Sequence, residues 1–281
     1  MDRESGCTLG YAADLVVFLT QEIIRTLDKE VKILKGTAKT LSRVSSRKCW
    51  TITTTSPDQR DSDHEAEYVV FATGCAPVEP PASHTATISL DTALTPSLLK
   101  QKLDEQSSNK IAIVGGSHSA ILALKNVCDH SPGNQVLHFY RSNLKFAEYK
   151  DNWILYDNTG LKGLAADWAK ETYPALPNIK RFKLTGKPAE EEQLYAQEVP
   201  SCNFIVYAIG YEPIPLPRVS VDGKALAIKF DSLTGKFDVD GLFGCGIAFP
   251  ERVTDPVGNV EYAVGFIKFM HFVKKVSPSW T

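Results

Sequence analysis

The stretch Lys110–Lys125, KIAIVGGSHSAILALK, decides the predicted fold. Ile111–Val114 is a short apolar run rich in β-branched residues, which is typical of a buried parallel strand. Ala120–Leu124 has the composition of an apolar helix face. Between them, Gly115 and Gly116 let the chain turn and let a phosphate approach the backbone. Strand, glycine turn and helix together form the first half of a βαβ nucleotide-binding unit, in which helix N–H groups and the helix dipole favour a phosphate.

The turn matches the dinucleotide-binding pattern G-x-G-x-x-G only in part. Gly115 occupies the first glycine position, Ser117 the second and Ala120 the third. Such a partial match also fits an ordinary strand–helix turn. A second predicted strand, Gln135–Tyr140, ends at Arg141, where these units contact the adenosine ribose. Because a basic residue there suits a 2′-phosphate, Arg141 favours NADP(H); the alternative is a surface arginine that closes a strand.

Composition restricts the class of protein. The chain has 281 residues, of which 43% are hydrophobic and 23% charged, and its formal net charge is −2, so no basic field favours nucleic acid or an anionic membrane. No apolar run approaches the ~20 residues of a membrane span, and Leu15–Leu19 is too short for a signal-peptide core. The six cysteines are scattered without a C-x-x-C pair. This pattern predicts no metal site and a reducing, cytoplasmic location.

Hydrophobic periodicity predicts the other elements. The predicted helices are Tyr11–Leu27, with a buried stripe of Leu15, Phe18, Leu19, Ile23 and Leu27, then Thr95–Glu105, Leu164–Thr172 and Asn259–Val276. The predicted strands are Val31–Lys35, Thr37–Val44 and Cys49–Thr55 in an antiparallel ribbon, then a buried strand from Tyr68 that ends in Ala72-Thr73-Gly74, Asn178–Leu184, Asn203–Ile209, a hairpin of Ala225–Phe230 with Lys236–Val239, and a glycine-rich strand in Gly241–Pro250. Ser56–Glu67 is expected to be a loop and Pro77–Leu94 a linker.

Four segments, in this order, carry a resemblance to a known family. They are YVVFATGCAP from Tyr68, IAIVGGSHSA from Ile111, FIVYAIGYEPIPLP from Phe204 and GLFGCGIAFP from Gly241. Together they resemble the flavoproteins with two dinucleotide-binding domains, the glutathione-reductase-like group that includes flavin-dependent monooxygenases and N-hydroxylases. The resemblance implies an α/β fold in which a Rossmann-like NAD(P)-binding domain, 96–210, is inserted in an FAD-type domain, 1–95 and 211–281.

The resemblance also implies positions for two cofactors. The residues expected around the NADP(H) pyrophosphate are Gly115, Gly116, Ser117, His118, Ser119 and Ala120, with Arg141 at the 2′-phosphate. The residues expected beside FAD are Thr73 and Gly74 at the domain crossing, Gly244 and Gly246 in the late glycine strand, and Asn259, Val260 and Glu261 at the start of the last helix. Catalytic residues are not identified, and His118 also fits an exposed turn residue. A polar loop contains Asp157, Asn158 and Lys162, which could line a substrate cleft. Alternatively, Asp157 caps the start of the next helix.

Two departures from the family pattern bear on the flavin. No G-x-G-x-x-G unit occurs before Tyr11, and Ile247 stands where the family often has an aspartate. The FAD-type domain is therefore expected to be incomplete. We consider three explanations: a shortened gene product, another source of the flavin site, or loss of flavin.

Two hypotheses about function follow. The first is an NADP(H)- and FAD-linked oxidoreductase of the monooxygenase type acting on a small molecule. The second is a non-redox descendant: a binding protein, a partner subunit or a cyclase-type catalyst. A single-nucleotide Rossmann dehydrogenase leaves Tyr68–Pro77 and Gly241–Pro250 without a role. We expect a second copy of this chain, or another protein chain, to cover the open sheet edge of the incomplete domain.

Overall fold

The computed structural model describes residues 9–27, 29–81, 84–103, 109–130 and 133–280. They divide into two compact units. Unit 1 holds the described residues up to Thr73, Ile214–Glu251 and the described residues from Gly265 onward. Unit 2 holds Gly74–Pro213 and Arg252–Val264. The chain therefore passes between the units four times.

Seven α-helices occur in the described part of the chain. The α-helices are α1 (Leu9–Thr26), α2 (Leu90–Leu94), α3 (Pro96–Leu103), α4 (His118–His130), α5 (Gly163–Glu171), α6 (Pro188–Glu198) and α7 (Phe266–Val276). Single 3₁₀ turns occur at Tyr173–Ala175, Val199–Ser201 and Ser277–Ser279.

The strands form several separate sheets. They are β1 (Thr37–Arg43), β2 (Trp50–Thr55), β3 (Asp61–Ala66), β4 (Val69–Phe71), β5 (Cys75–Pro77), β6 (Ala86–Ile88), β7 (Lys110–Val114), β8 (Gln135–Tyr140), β9 (Glu148–Tyr149), β10 (Ile154–Leu155), β11 (Ile179–Lys183), β12 (Phe204–Tyr207), β13 (Tyr211–Pro213), β14 (Arg218–Val221), β15 (Lys224–Leu226), β16 (Phe230–Asp231), β17 (Lys236–Phe237), β18 (Leu242–Gly244), β19 (Arg252–Thr254) and β20 (Val260–Tyr262).

Unit 2 is built on a five-stranded parallel sheet with the order β11-β8-β7-β12-β6. Its central strand β7 is apolar on both faces because both faces are covered: Ile111, Ala112 and Ile113 are fully buried. Helix α4 packs in the largest hydrophobic cluster through residues such as Ile121 and Leu124. The predicted strand–turn–helix and the α/β fold class are confirmed.

The predicted linker Pro77–Leu94 is wrong. Residues 86–88 form β6, which pairs in parallel with β12, and residues 90–94 form helix α2. Both belong to unit 2. Ser89 caps α2, because its side chain accepts a hydrogen bond from the N–H of Thr92. The first passage between the units lies after Thr73, whereas the resemblance predicts the first domain boundary after residue 95.

Unit 1 contains the predicted antiparallel ribbon, extended into a five-stranded sheet with the order β15-β14-β1-β2-β3. Two predictions here are wrong. Val31–Lys35 is not a strand, and Ser56–Glu67 is not all loop, since β3 pairs with β2 from Asp61 to Ala66. The charged residues of β3 are compatible with a strand because it lies at a sheet edge and is largely exposed. A second sheet, β16-β17-β18-β4, includes a hairpin across the predicted turn. The predicted first arm Ala225–Phe230 is wrong, because residues 224–226 pair with β14 and only Phe230 and Asp231 pair with β17.

Helix α1 confirms the predicted helix but not its predicted burial. The side chains of the expected stripe are exposed, from 36% for Leu27 to 58% for Phe18. Val17 on the opposite side of the helix is also exposed. Periodicity predicts a helix, but it does not show whether an apolar face meets a partner.

The predicted closing helix Asn259–Val276 is correct only in its second half. Residues 252–262 form the antiparallel pair β19–β20 and belong to unit 2, and α7 begins at Phe266 in unit 1. Gly265, with φ +141°, separates the two segments. Asn259, Val260 and Glu261 therefore do not lie at a helix start.

No helix in the described ranges is long and apolar enough to cross a membrane. Of the cysteines in the described part of the chain, each is a free thiol: Cys49, Cys75, Cys128, Cys202 and Cys245. Among those same residues, no group of histidine, cysteine or acidic side chains has the arrangement of a metal site.

Candidate cofactor-binding site

The turn after β7 has a backbone that requires glycine. Gly115 has φ +143°, and a Cβ atom there would lie 2.3 Å from the carbonyl oxygen of Ala208. The N–H of Gly115 donates to the carbonyl of Phe139 at 2.9 Å, and the N–H of Ala208 donates to the carbonyl of Val114 at 2.7 Å. Strands β7, β8 and β12 thus hold the turn at their carboxyl ends, the edge at which parallel sheets bind ligands.

Gly116 brings the turn close to the end of β8. A Cβ atom on Gly116 would lie 3.3 Å from Cβ of Tyr140 and 3.5 Å from the carbonyl oxygen of Ser142. Helix α4 then begins at His118, and its first-turn N–H groups have no acceptors within the helix. The structure therefore brings the predicted phosphate turn, residues 115–120, next to the chain segment that carries Arg141.

Arg141 lies at the end of β8 with a side chain that is 72% exposed. Its Nη2 atom donates to Oε2 of Glu191 at 2.9 Å, and the other oxygen of that carboxylate accepts from the N–H of Gly186 at 2.8 Å. The hydrogen bond from Arg141 lowers the pKa of Glu191, and the same contact raises the pKa of Arg141. Glu191 thus fixes one edge of the guanidinium group, while most of the side chain remains exposed.

His118, at the start of α4, lies near the positively charged side chain of Lys162. Burial, and secondly the positive charge of Lys162, lower the pKa of His118. Lys162 in turn forms an ion pair with Asp157. Helix α5 begins after Lys162 without a side-chain cap, so the expected cap by Asp157 is wrong and its carboxylate instead holds the lysine.

Glu261 joins the β19–β20 hairpin to the loop after Asp157. Glu261 is 7% exposed. Its carboxylate accepts hydrogen bonds from the N–H of Asn158 at 3.0 Å, from Nδ2 of Asn158 at 3.2 Å and from Oγ1 of Thr159 at 2.5 Å. Asn158 Oδ1 accepts from the N–H of Val264 at 3.1 Å. These contacts give Glu261 a structural role within unit 2, where Asn259 binds Asp255.

Thr73 and Gly74 stand at the passage from unit 1 to unit 2. The hydroxyl oxygen of Thr73 is buried and has no hydrogen-bond partner among the described residues. Gly74 has φ +74° with open space where a Cβ would stand. An unsatisfied buried hydroxyl is uncommon, so Thr73 is compatible with a polar ligand atom beside it.

The late glycine strand has a packing explanation of its own. A Cβ atom on Gly244 would lie 2.7 Å from Cγ of Phe249 and 3.0 Å from Phe230. These rings belong to the core of unit 1. Gly246 differs, because it has φ +82° and nothing within 4 Å of a Cβ position. Only Gly246 of this pair leaves room for a ligand.

The residue that sequence reasoning missed is His138. It lies in the middle of β8 with no exposed surface, and it contacts the carbonyl of Gly115. In the sequence it is one polar residue inside the apolar run QVLHFY. A histidine in a strand that is otherwise buried was the available indication.

Comparison with known proteins identifies the group. A model of the L-lysine 6-monooxygenase/L-ornithine 5-monooxygenase family matches residues 25–155. Monooxygenase AgnR1 from Paecilomyces divaricatus is 39% identical over 301 residues, covering 100% of this chain and 76% of that relative. The chain belongs to the flavoprotein monooxygenases with two dinucleotide-binding domains.

Two solved structures share the fold of this flavoprotein monooxygenase. The bacillithiol disulfide reductase of Staphylococcus aureus has a TM-score of 0.52 at 13% identity, over 95% of this chain and 76% of that one. An NAD-dependent persulfide reductase from A. fulgidus has a TM-score of 0.55 at 13% identity, over 92% of this chain and 46% of that one. At these identities the likeness concerns the fold alone.

The described residues fit the two cofactors of a flavoprotein monooxygenase unequally. For a dinucleotide phosphate they provide a turn that only glycine can adopt, a helix start and the exposed Arg141. For FAD they provide the unsatisfied Thr73 hydroxyl and the open Gly246. Within the described part of unit 1, however, Gly10 lies inside α1, and no strand–glycine turn–helix precedes β4. We therefore assign no reaction step to residues around a flavin.

Proposed function

We propose that this protein is an NADP(H)- and FAD-linked monooxygenase that acts on a small molecule and binds NADP(H) in unit 2. The observation that carries the proposal is the turn at Gly115, whose φ of +143° and close approach to Ala208 exclude any side chain. Conformationally demanding glycine at the carboxyl end of a parallel strand, directly before a helix, is the arrangement that binds a dinucleotide pyrophosphate.

The residues of the turn have separate roles in this proposal. The N–H groups of Gly116, Ser117, His118 and Ser119 donate to the pyrophosphate, and the lack of a large side chain at Ala120 lets the helix lie close to the sheet. Desolvation, and secondly the positive charge of Lys162, lower the pKa of the exposed His118, which favours the uncharged imidazole. Phosphate recognition thus depends on the backbone and the helix dipole rather than on an imidazolium charge.

Arg141 selects the phosphorylated dinucleotide in the proposal. Glu191 holds one edge of its guanidinium and leaves the rest of the group accessible for a 2′-phosphate. A planar guanidinium that is already oriented loses less side-chain entropy on binding a phosphate. NADPH is therefore expected to bind more tightly than NADH.

The test compares Arg141→Gln with Arg47→Gln, an exposed arginine of unit 1. Titration of the full chain is expected to show NADPH affinity reduced about tenfold or more in Arg141→Gln, with NADH affinity unchanged, since a charged hydrogen bond contributes roughly 1.5–3 kcal/mol. Arg47→Gln is expected to match the wild type. If Arg141→Gln lost equal affinity for NADPH and NADH, Arg141 would not recognise the 2′-phosphate.

The flavin supplies the oxygen-activating chemistry in this class of enzyme, and the nicotinamide supplies the hydride. Of the described residues, Thr73 and Gly246 are those proposed to contact it. An absorbance spectrum with and without added FAD, followed by NADPH oxidation measured with and without FAD, tests this part. A chain that stays colourless and oxidises no NADPH supports the non-redox alternative instead.

The proposal also includes a cytoplasmic location and a second chain that covers the incomplete FAD-type domain. Measuring the oligomeric state in solution tests the second chain.

A further inference from the structure

His138 is a histidine with two definite partners in the core of unit 2. It lies on β8 opposite Ile113 of β7, and it has no exposed surface. Its Nε2 atom is 2.7 Å from the carbonyl oxygen of Gly115, and its Nδ1 atom is 2.7 Å from the hydroxyl oxygen of Tyr173. Both ring nitrogens are therefore engaged, one of them by the candidate phosphate turn.

The partners determine which nitrogen carries the proton. A carbonyl oxygen only accepts, so Nε2 must carry the hydrogen and donate to Gly115. In the neutral ring Nδ1 is then an acceptor, and the Tyr173 hydroxyl donates to it. Burial lowers the pKa of His138 to about 4, against the opposing effect of the Gly115 hydrogen bond, and this keeps the ring neutral at physiological pH.

Tyr173 is itself held in place. The guanidinium carbon of Arg181 lies 4.3 Å from the centre of the Tyr173 ring, and Arg181 Nη2 donates to the main-chain carbonyl of Tyr173. Tyr173 is 8% exposed and also contacts Trp168, with ring centres 5.9 Å apart. The hydroxyl that donates to Nδ1 of His138 thus has little freedom to move away.

The hydrogen bond from His138 fixes a peptide group of the turn. The peptide between Gly115 and Gly116 is planar and trans, so the Gly115 carbonyl and the Gly116 N–H point in opposite directions. With that carbonyl directed at His138 in the core, the Gly116 N–H points away from the core. Gly115 is held on its other side by the hydrogen bond from its N–H to Phe139. Two consecutive residues of β8 therefore set the orientation of this glycine.

We propose that His138, in the Nε2–H form that the Gly115 carbonyl requires, is a positioning residue that presents the Gly116 N–H to the dinucleotide phosphate. The proposal rests on the NADP(H) site proposed above. A glycine is the residue least able to keep one conformation without outside contacts. A buried donor on its carbonyl lowers the cost of ordering the turn when a phosphate binds.

Two amide substitutions separate the function of the two ring nitrogens. The amide nitrogen of glutamine in His138→Gln reaches the position of Nε2, whereas the amide of asparagine in His138→Asn reaches only that of Nδ1. Both variants remove the ring from the core and are expected to lower the unfolding temperature similarly. Only His138→Gln retains a donor for Gly115.

The measurement is an NADPH titration of the full chain and both variants. We expect His138→Gln to bind within about threefold of the wild type and His138→Asn to bind at least about tenfold more weakly, the effect of one lost hydrogen bond to a polar group that stays buried. Wild-type-like binding by His138→Asn, or equal weakening of both variants, would overturn the positioning role. Failure of the wild type to bind NADPH would instead overturn the proposed function and, with it, this role.

A second measurement uses the wild type and needs no variant to fold. Ring-nitrogen NMR on chain labelled with ¹⁵N-histidine is expected to show His138 as the neutral Nε2–H tautomer at pH 7, with its nitrogen shifts changing when NADPH is added. A protonated ring, an Nδ1–H tautomer, or shifts unchanged at saturating NADPH would overturn the proposal.

Discussion

At the scale of single residues, the account depends on a glycine and a histidine that act together. Gly115 supplies a backbone conformation that other residues rarely adopt, and His138 holds the carbonyl of that glycine. The glycine was predictable because it stands between a recognisable strand and helix. The histidine was not, because the contacts behind its proposed role, with the Gly115 carbonyl and the Tyr173 hydroxyl, form only in the folded chain.

The first residue-scale prediction concerns Gly115→Ala. A Cβ at this position meets main-chain atoms of Ala208, which cannot yield as a flexible side chain would. We expect loss of NADPH binding and a free energy of unfolding lower by roughly 2 kcal/mol or more, because overpacking and backbone strain add. The control is Gly258→Ala, which also has a positive φ but nothing within 4 Å, and it should keep NADPH binding. Denaturant unfolding and titration together provide the comparison, and intact binding by Gly115→Ala would contradict it.

The second residue-scale prediction concerns pH. Burial lowers the pKa of His138 to about 4 in the folded chain from 6.5, so below pH 6.5 the unfolded chain binds a proton that the folded chain does not. The stabilisation present above pH 6.5 is therefore lost as the pH falls toward 4, by about 3 kcal/mol in total. The titratable and charged groups that face His138 are Tyr140, Tyr173 and Arg181.

Urea unfolding at pH 7 and pH 4.5 measures this effect. His138→Gln should lose less stability than the wild type between the two pH values, because all other titrating groups are common to both. Equal losses in the two proteins would show that His138 does not contribute.

At the scale of elements, segments with local patterns were predictable and segments with distant partners were not. The strand β7, its turn and helix α4 are contiguous, so their pattern is complete in one stretch of sequence. Strand β6 is three residues long and exists through its pairing with the distant β12. The pattern predicts β20 as the start of a helix, because its apolar residues continue into those of α7 and the separating Gly265 is a single residue.

Helix α1 gives an element-scale prediction. Leu15 is 53% exposed, whereas Leu242 of β18, also in unit 1, is fully buried. We expect Leu15→Ser to change the free energy of unfolding by no more than about 0.5 kcal/mol, while Leu242→Ala lowers it by roughly 2–5 kcal/mol. Chemical denaturation of the two variants tests this contrast. A large loss for Leu15→Ser would mean that α1 has a partner in the folded protein.

The β19–β20 hairpin gives a second element-scale prediction. Glu261→Gln removes the charge from a carboxylate that accepts three hydrogen bonds from Asn158 and Thr159. Since hydrogen bonds to a charged acceptor are the stronger kind, we expect a loss of about 1–3 kcal/mol and faster hydrogen exchange in residues 252–264. The matched control Glu148→Gln affects an exposed pair with Lys150 and should have little effect. Unchanged exchange in Glu261→Gln would contradict the structural role.

At the scale of the whole molecule, the chain belongs to the flavoprotein monooxygenases, and its unit 2 is made of two segments of the chain. The sequence predicted an insertion between two parts of one domain, and the structure shows unit 2 completed by Arg252–Val264 as well. The sequence could not predict that this segment belongs to unit 2, because the hydrogen bond from Asn158 to Glu261 forms only in the folded chain.

The most direct test of the central claim is amide NMR of the deuterated full chain during an NADPH titration. The account predicts saturable shifts of the N–H signals of Gly116, Ser117, His118 and Ser119, because these groups donate to the pyrophosphate. Saturable binding that leaves these four signals unchanged, or no binding at all, would contradict it.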